Sequence, residues 1–115
     1  MSRRTFNIPG HVHFLTFSCY HRLDLLTSAW ACQLLGDALR KACETSYFDL
    51  WAYVFMPNHV HLVVRPRHDN YSMAAIQRSF KEPFAREFVA FLKRHDPQRL
   101  EPLRFKTAPN QFHRV

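Results

Sequence analysis

The sequence predicts an α+β fold, an antiparallel sheet carrying two helices on one face. Three observations predict it: runs rich in β-branched and aromatic residues, stretches whose apolar residues recur at helical spacing, and the order in which the two kinds alternate. Pro9-Gly10 is a turn signal, and His11-Val12-His13-Phe14-Leu15-Thr16-Phe17-Ser18 after it reads as a first strand. Thr27 or Ser28 can cap a helix over Ser28 to Cys43, because Ala31, Leu34, Leu35, Ala38, Leu39 and Ala42 form one apolar stripe. Tyr47 to Met56 reads as a second strand. Pro57-Asn58 ends it, since proline cannot donate to a ladder and asparagine tolerates turn geometry. His59 to Val64 follows at once, so the second and third strands are expected to pair as a hairpin.

Ser72 can cap a second helix in which Ile76, Phe80, Phe84, Phe88 and Leu92 step by four, ending by His95-Asp96-Pro97. Pro83 lies inside it; a proline there lacks the N–H and crowds the preceding turn, so a kink or two shorter helices is expected. Beyond Glu101, only Leu103-Arg104-Phe105-Lys106 and Gln111-Phe112-His113-Arg114-Val115 can serve as short strands. Strand, helix, strand, strand, helix, strand is the order of a ferredoxin-like split βαβ sheet, whose second face is free to meet a ligand.

Composition narrows the partner. With 115 residues and 47% apolar content the chain is one domain with one core, and two glycines leave no flexible linker. Sixteen Lys and Arg against nine Asp and Glu give +7, which favours a polyanion through counterion release, nucleic acid first. Cys19, Cys32 and Cys43 are odd in number and form no C-x-x-C pair, which argues against a disulfide framework and fits a reducing cytoplasm. No apolar run approaches the roughly 18 residues a membrane helix needs, so a soluble protein with no membrane partner is expected.

The chemistry centres on His59-Val60-His61. Alternation along a strand puts both imidazoles on one face and Val60 and Leu62 on the other. Two neutral imidazoles on one face can grip a divalent cation able to stabilise charge on a phosphoryl group, although the spacing alone does not separate such a pair from two ordinary strand histidines.

The longer run Trp51-Ala52-Tyr53-Val54-Phe55-Met56-Pro57-Asn58-His59-Val60-His61-Leu62-Val63-Val64 resembles the hairpin of REP-associated tyrosine transposases, of the single-tyrosine HUH superfamily. Phe14 to Arg22 is similar to that family's first strand and its exit, and Tyr71-Ser72-Met73 with Ile76 to Lys81 to its second helix. The resemblance spans roughly Phe14 to Phe91. It implies a Mg2+- or Mn2+-dependent enzyme cutting single-stranded DNA, in which a tyrosine attacks the scissile phosphate to leave a 5′-phosphotyrosine link and a free 3′-hydroxyl. His59 and His61 match the metal pair.

In the family the nucleophile lies on a further helix after the fourth strand, and that helix also brings a third polar ligand. The tyrosines here are Tyr20, Tyr47, Tyr53 and Tyr71, and none follows the last expected strand. The nucleophile is therefore transferred to no residue. The expectation is one HUH domain over residues 1–115, incomplete at its C-terminus, that binds single-stranded or hairpin DNA without cutting it, as monomer or homodimer.

Arg65, Arg67, Arg78, Lys81 and Arg86 are the expected nucleic-acid contacts, with Arg65, Arg67 and Lys81 favoured because they flank the histidine strand or the helix beneath it; Arg3 and Arg4 of the tail are further basic residues. His11 and His13 are weighed as extra ligands and read as ordinary strand histidines. A zinc site from Cys19, His21 and the pair has no spacing motif behind it. Trp51, Tyr53 and Phe55 alternate with Ala52, Val54 and Met56, and one set could stack bases, although core packing is the expected use of most of them. The alternative function is a non-enzymatic module with an RNA-recognition-like sheet. Glycines at positions 10 and 36 alone cannot supply that family's glycine-containing motif.

Overall fold

The computed structural model describes residues 10–105 and 112–113. Strand β1 is His13–Ser18, helix α1 is Ala29–Thr45, β2 is Phe48–Phe55, β3 is His59–Pro66 and helix α2 is Met73–His95. These are the expected elements with ends moved by one to two residues, and the α+β class follows from them. The sheet order is β1-β3-β2, antiparallel throughout, so β3 with its histidine pair occupies the centre.

Burial alternates along β3. Val60, Leu62, Val64 and Pro66 are buried, whereas His59, His61, Val63 and Arg65 are not, so the first set faces the helices and the second the open side. Register extends that division to β1, where Thr16 pairs with His61, Phe14 with Val63 and Ser18 with His59. On β2, Val54 pairs with His61 and Ala52 with Val63, with a bulge at Trp51 between Leu50 and Ala52.

The core lies between sheet and helices. Ala31, Leu35, Ala38, Leu39 and Ala42 of α1 and Met73, Ile76, Phe80, Phe84, Phe88 and Leu92 of α2 are its helical half. Ser72 caps α2 as expected, its hydroxyl accepting from the Ala75 N–H at 3.3 Å. Ser28 is the N-cap residue of α1, but its side chain makes no capping bond.

Of the two outcomes expected at Pro83, a kink or two shorter helices, the second is not met: one helix runs through the proline. The lost bond is a single one, and Phe80 and Phe84, both buried on either side of the proline, hold the two halves to the same core. The short strands also form, as Arg104–Phe105 (β4) and Phe112–His113 (β5), but they pair with each other and not with β1. Pairing within a short hairpin closes a smaller loop than reaching back to the sheet, and two residues offer few ladder bonds in either arrangement.

Candidate metal and nucleic-acid site

The hairpin tip fixes the pair. Cys19 donates its N–H to the Asn58 carbonyl at 2.8 Å and Leu26 donates to that of Pro57 at 2.9 Å, tying the β2–β3 turn to the exit of β1. That exit is tightly wound. His21 and Arg22 both have positive φ, 52° and 55°, a left-handed conformation that non-glycine residues keep only where neighbouring structure imposes it.

His59 and His61 present their rings on the open face with centroids 4.8 Å apart and planes at 86°. Each Nδ1 is engaged. The His59 Nδ1 lies 2.7 Å from Asn58 Oδ1, and the His61 Nδ1 lies 3.1 Å from Thr16 Oγ1 across the strand pair. With Asn58 Oδ1 accepting, the His59 proton sits on Nδ1 and the lone pair on Nε2. The threonine hydroxyl can accept from His61 in the same way. This is how outer partners orient imidazoles that ligate through the other nitrogen. The two residues therefore fit a divalent cation as a partial ligand set, with the remaining positions left to water or phosphate oxygens. Among the described residues, no group of three His, Cys, Asp or Glu gathers into a metal cluster.

His13 lies on the other side of the sheet. It pairs with buried Val64, its Nε2 is 2.8 Å from the Tyr71 hydroxyl, and burial, aided by nearby His11, lowers its pKa. Cys19 is buried, which raises its thiol pKa, and His21 stacks on Tyr20 at 3.9 Å. The remaining tyrosines are dispersed: Tyr47 meets His68 edge-on, and Tyr53 lines a 730 Å³ groove between β2 and α1.

The basic residues do not gather on one face. Arg65 alone of the five shares the face of the histidines. Arg67 instead bridges inward, donating to the Cys43 carbonyl near the end of α1 at 2.8 Å and reaching Asp49 Oδ1 at 3.4 Å. Lys81 is half-buried on α2, its amine 4.5 Å from the centre of the Phe17 ring and 3.0 Å from Gln77 Oε1, and burial lowers its pKa. Arg78 and Arg86 are exposed on α2, in the helix layer. For the DNA binding expected from the sequence, Arg65→Ala should lower the salt dependence by about one counterion. Arg67→Ala should leave that slope unchanged and cost about 1 kcal/mol of stability, mostly through the carbonyl bond, since exposed ion pairs contribute little. Binding titrations at several salt concentrations, with thermal melts alongside, check both.

Sequence reasoning placed the pair correctly on its strand but did not reach its supports. Thr16 faces the same side as His61 only once the β1–β3 register is known, and no local signal carries that. Asn58 was readable as a turn residue, and its place directly before His59 was the available hint. The expected core role of Trp51 and Tyr53 is corrected: they are 58% and 61% exposed, because β2 is an edge strand and α1 does not extend over Tyr53.

A three-stranded sheet over two helices, with paired histidines on its bare face, defines an α+β domain of the ferredoxin-like kind. Residues 8–103 match the family model described as "Transposase IS200 like", and the chain belongs to that family. Its structure is similar to that of a REP-associated tyrosine transposase bound to a REP hairpin, with a TM-score of 0.64 and 21% identity. That match covers 100% of this chain, which spans 62% of the length of the relative. It is also similar to a candidate transposase from Deinococcus radiodurans R1, with a TM-score of 0.60 and 22% identity over 82% of this chain and 71% of the other. No curated protein sequence matches. Among the described residues, no helix is long and apolar enough to cross a membrane.

Proposed function

We propose that this chain is a DNA-binding unit of transposition that takes hold of single-stranded or hairpin DNA through a Mg2+ or Mn2+ ion on His59 and His61. The carrying observation is the geometry of the pair: two rings on the open face with centroids 4.8 Å apart, each with Nδ1 engaged, which leaves Nε2 as the nitrogen each ring can offer to a cation. When bound, the ion would supply charge stabilisation at a phosphoryl oxygen. The chain's own residues orient the imidazoles through Asn58 and Thr16 and attract the backbone with a net charge of +7. Family membership supports the transposition role, and the hairpin held by a structural relative supports DNA as the partner.

Cleavage is not assigned to this chain. Tyr71 bonds His13 on the helix side of the sheet, Tyr20 stacks on His21, Tyr47 meets His68, and Tyr53 lines the groove beside α1. The test is incubation with hairpin-containing single-stranded DNA in Mn2+, analysed by native and denaturing electrophoresis. The expected result is a complex that disappears on adding chelator and leaves no covalent adduct after denaturation. An adduct would overturn the non-cleaving reading. Binding indifferent to chelator would favour the metal-independent, RNA-recognition-like alternative.

A further inference from the structure

Phe14 is 78% exposed, more than any other large hydrophobic residue among the described residues. Scattered exposed hydrophobics are ordinary, but the position of this one is not. Its Cα partner on β3 is Val63, and the partner of Val63 on β2 is Ala52, so Phe14, Val63 and Ala52 form one row across the three strands on the face of the histidine pair. The next row is Thr16, His61 and Val54, the last 52% exposed. An apolar floor thus adjoins the pair, with a small alanine at one end and a bare aromatic ring at the other.

Along β3 the open-face residues run His61, Val63, Arg65. Each step of two residues is roughly 7 Å, so the strand presents a cation site, an apolar row and then a guanidinium at successive steps. Asp49, the partner of Arg65 on β2, has its carboxylate 3.4 Å from Arg67, so Arg65, Arg67 and Asp49 together carry one net positive charge at this end of the sheet. Phosphate, base and phosphate along a single strand match that series: anion at the cation, flat π-face on the floor, anion at the arginine.

We infer that Phe14 is a stacking platform for an unpaired base of single-stranded DNA, next to the phosphate held at the His59–His61 site. This rests on the function proposed above and adds the groove-free surface on which a nucleotide lies. A double-stranded segment would not fit the role, because its bases are already stacked on one another. The platform therefore selects for an unpaired nucleotide beside the cation without reading its identity, since every base has a π-face.

The experiment uses the full chain with a single-stranded oligonucleotide carrying 2-aminopurine at one position at a time, in Mn2+. Binding should quench the probe at one position in particular. Phe14→Ala should abolish that quenching and weaken binding about 5- to 100-fold, while Mn2+ affinity measured by calorimetry stays that of the native chain. Phe14→Tyr should restore both quenching and affinity. Native affinity and quenching in Phe14→Ala, with binding still dependent on Mn2+, would overturn the platform and leave the proposed function standing. Failure of the native chain to bind single-stranded DNA in Mn2+ would overturn the proposed function and this inference with it. Tighter, chelator-resistant binding of an RNA of the same sequence, weakened by Phe14→Ala, would overturn the assignment to DNA.

Discussion

Replacing His59 by alanine is expected to weaken Mn2+ binding by about 100-fold or more, beyond the 10- to 100-fold that losing an outer partner of a ligand typically costs. The reason is the small size of the ligand set. Two imidazoles are what the described residues bring to the open face, so removing one leaves a single nitrogen against a fully hydrated ion. His61→Ala should do the same. Asn58→Ala and Thr16→Val should fall between these and the native chain, because each leaves both nitrogens present but frees one ring to rotate and to choose the other tautomer. Calorimetric titration with Mn2+ ranks the four variants, and circular dichroism confirms that each is folded. Mn2+ affinity equal in the native chain and in His59→Ala would remove the pair from the chemistry altogether.

That ranking separates what the sequence could disclose from what it could not. The pair was legible because it depends on strand alternation, a period of two that needs no partner strand. The same period separated His59 and His61 from Val60 and Leu62, and the structure buries the second set. Thr16 was not legible, because its role depends on which residue of β1 stands opposite His61, and register is set by pairing across 45 residues of chain. The position of Arg67 was not legible for a related reason. Arg67 is only two residues beyond Arg65, yet it follows the last residue of β3 and bends back to the end of α1, so its nearness in sequence does not carry over to the open face. At Pro83 the local rule left open a kinked helix or two shorter ones, and one helix forms, with Phe80 and Phe84 buried on either side of the proline.

Phe88→Ala should lower stability by about 3–5 kcal/mol, a large part of the 5–15 kcal/mol that a domain of this size typically holds. Phe88 is fully buried on α2, its ring 5.0 Å from that of Trp30 on α1 and 5.6 Å from that of Phe84. Trp30 in turn stacks on Phe91 at 3.9 Å, so the benzyl group is clamped between rings anchored on both helices and little around it can collapse into the space it leaves. The melting temperature should fall by roughly 10–20 °C. Phe14→Ala is the internal comparison: the same atoms are removed from a side chain that is mostly in water, and stability should change by no more than about 0.5 kcal/mol. Thermal unfolding of the two variants beside the native chain makes the measurement. A Phe88→Ala melt within a few degrees of native, roughly what 1 kcal/mol produces, would mean that the seam between the helices is not the close-packed floor on which the histidine strand is held. A large drop for Phe14→Ala would mean instead that its ring packs into the fold and is not open to a base.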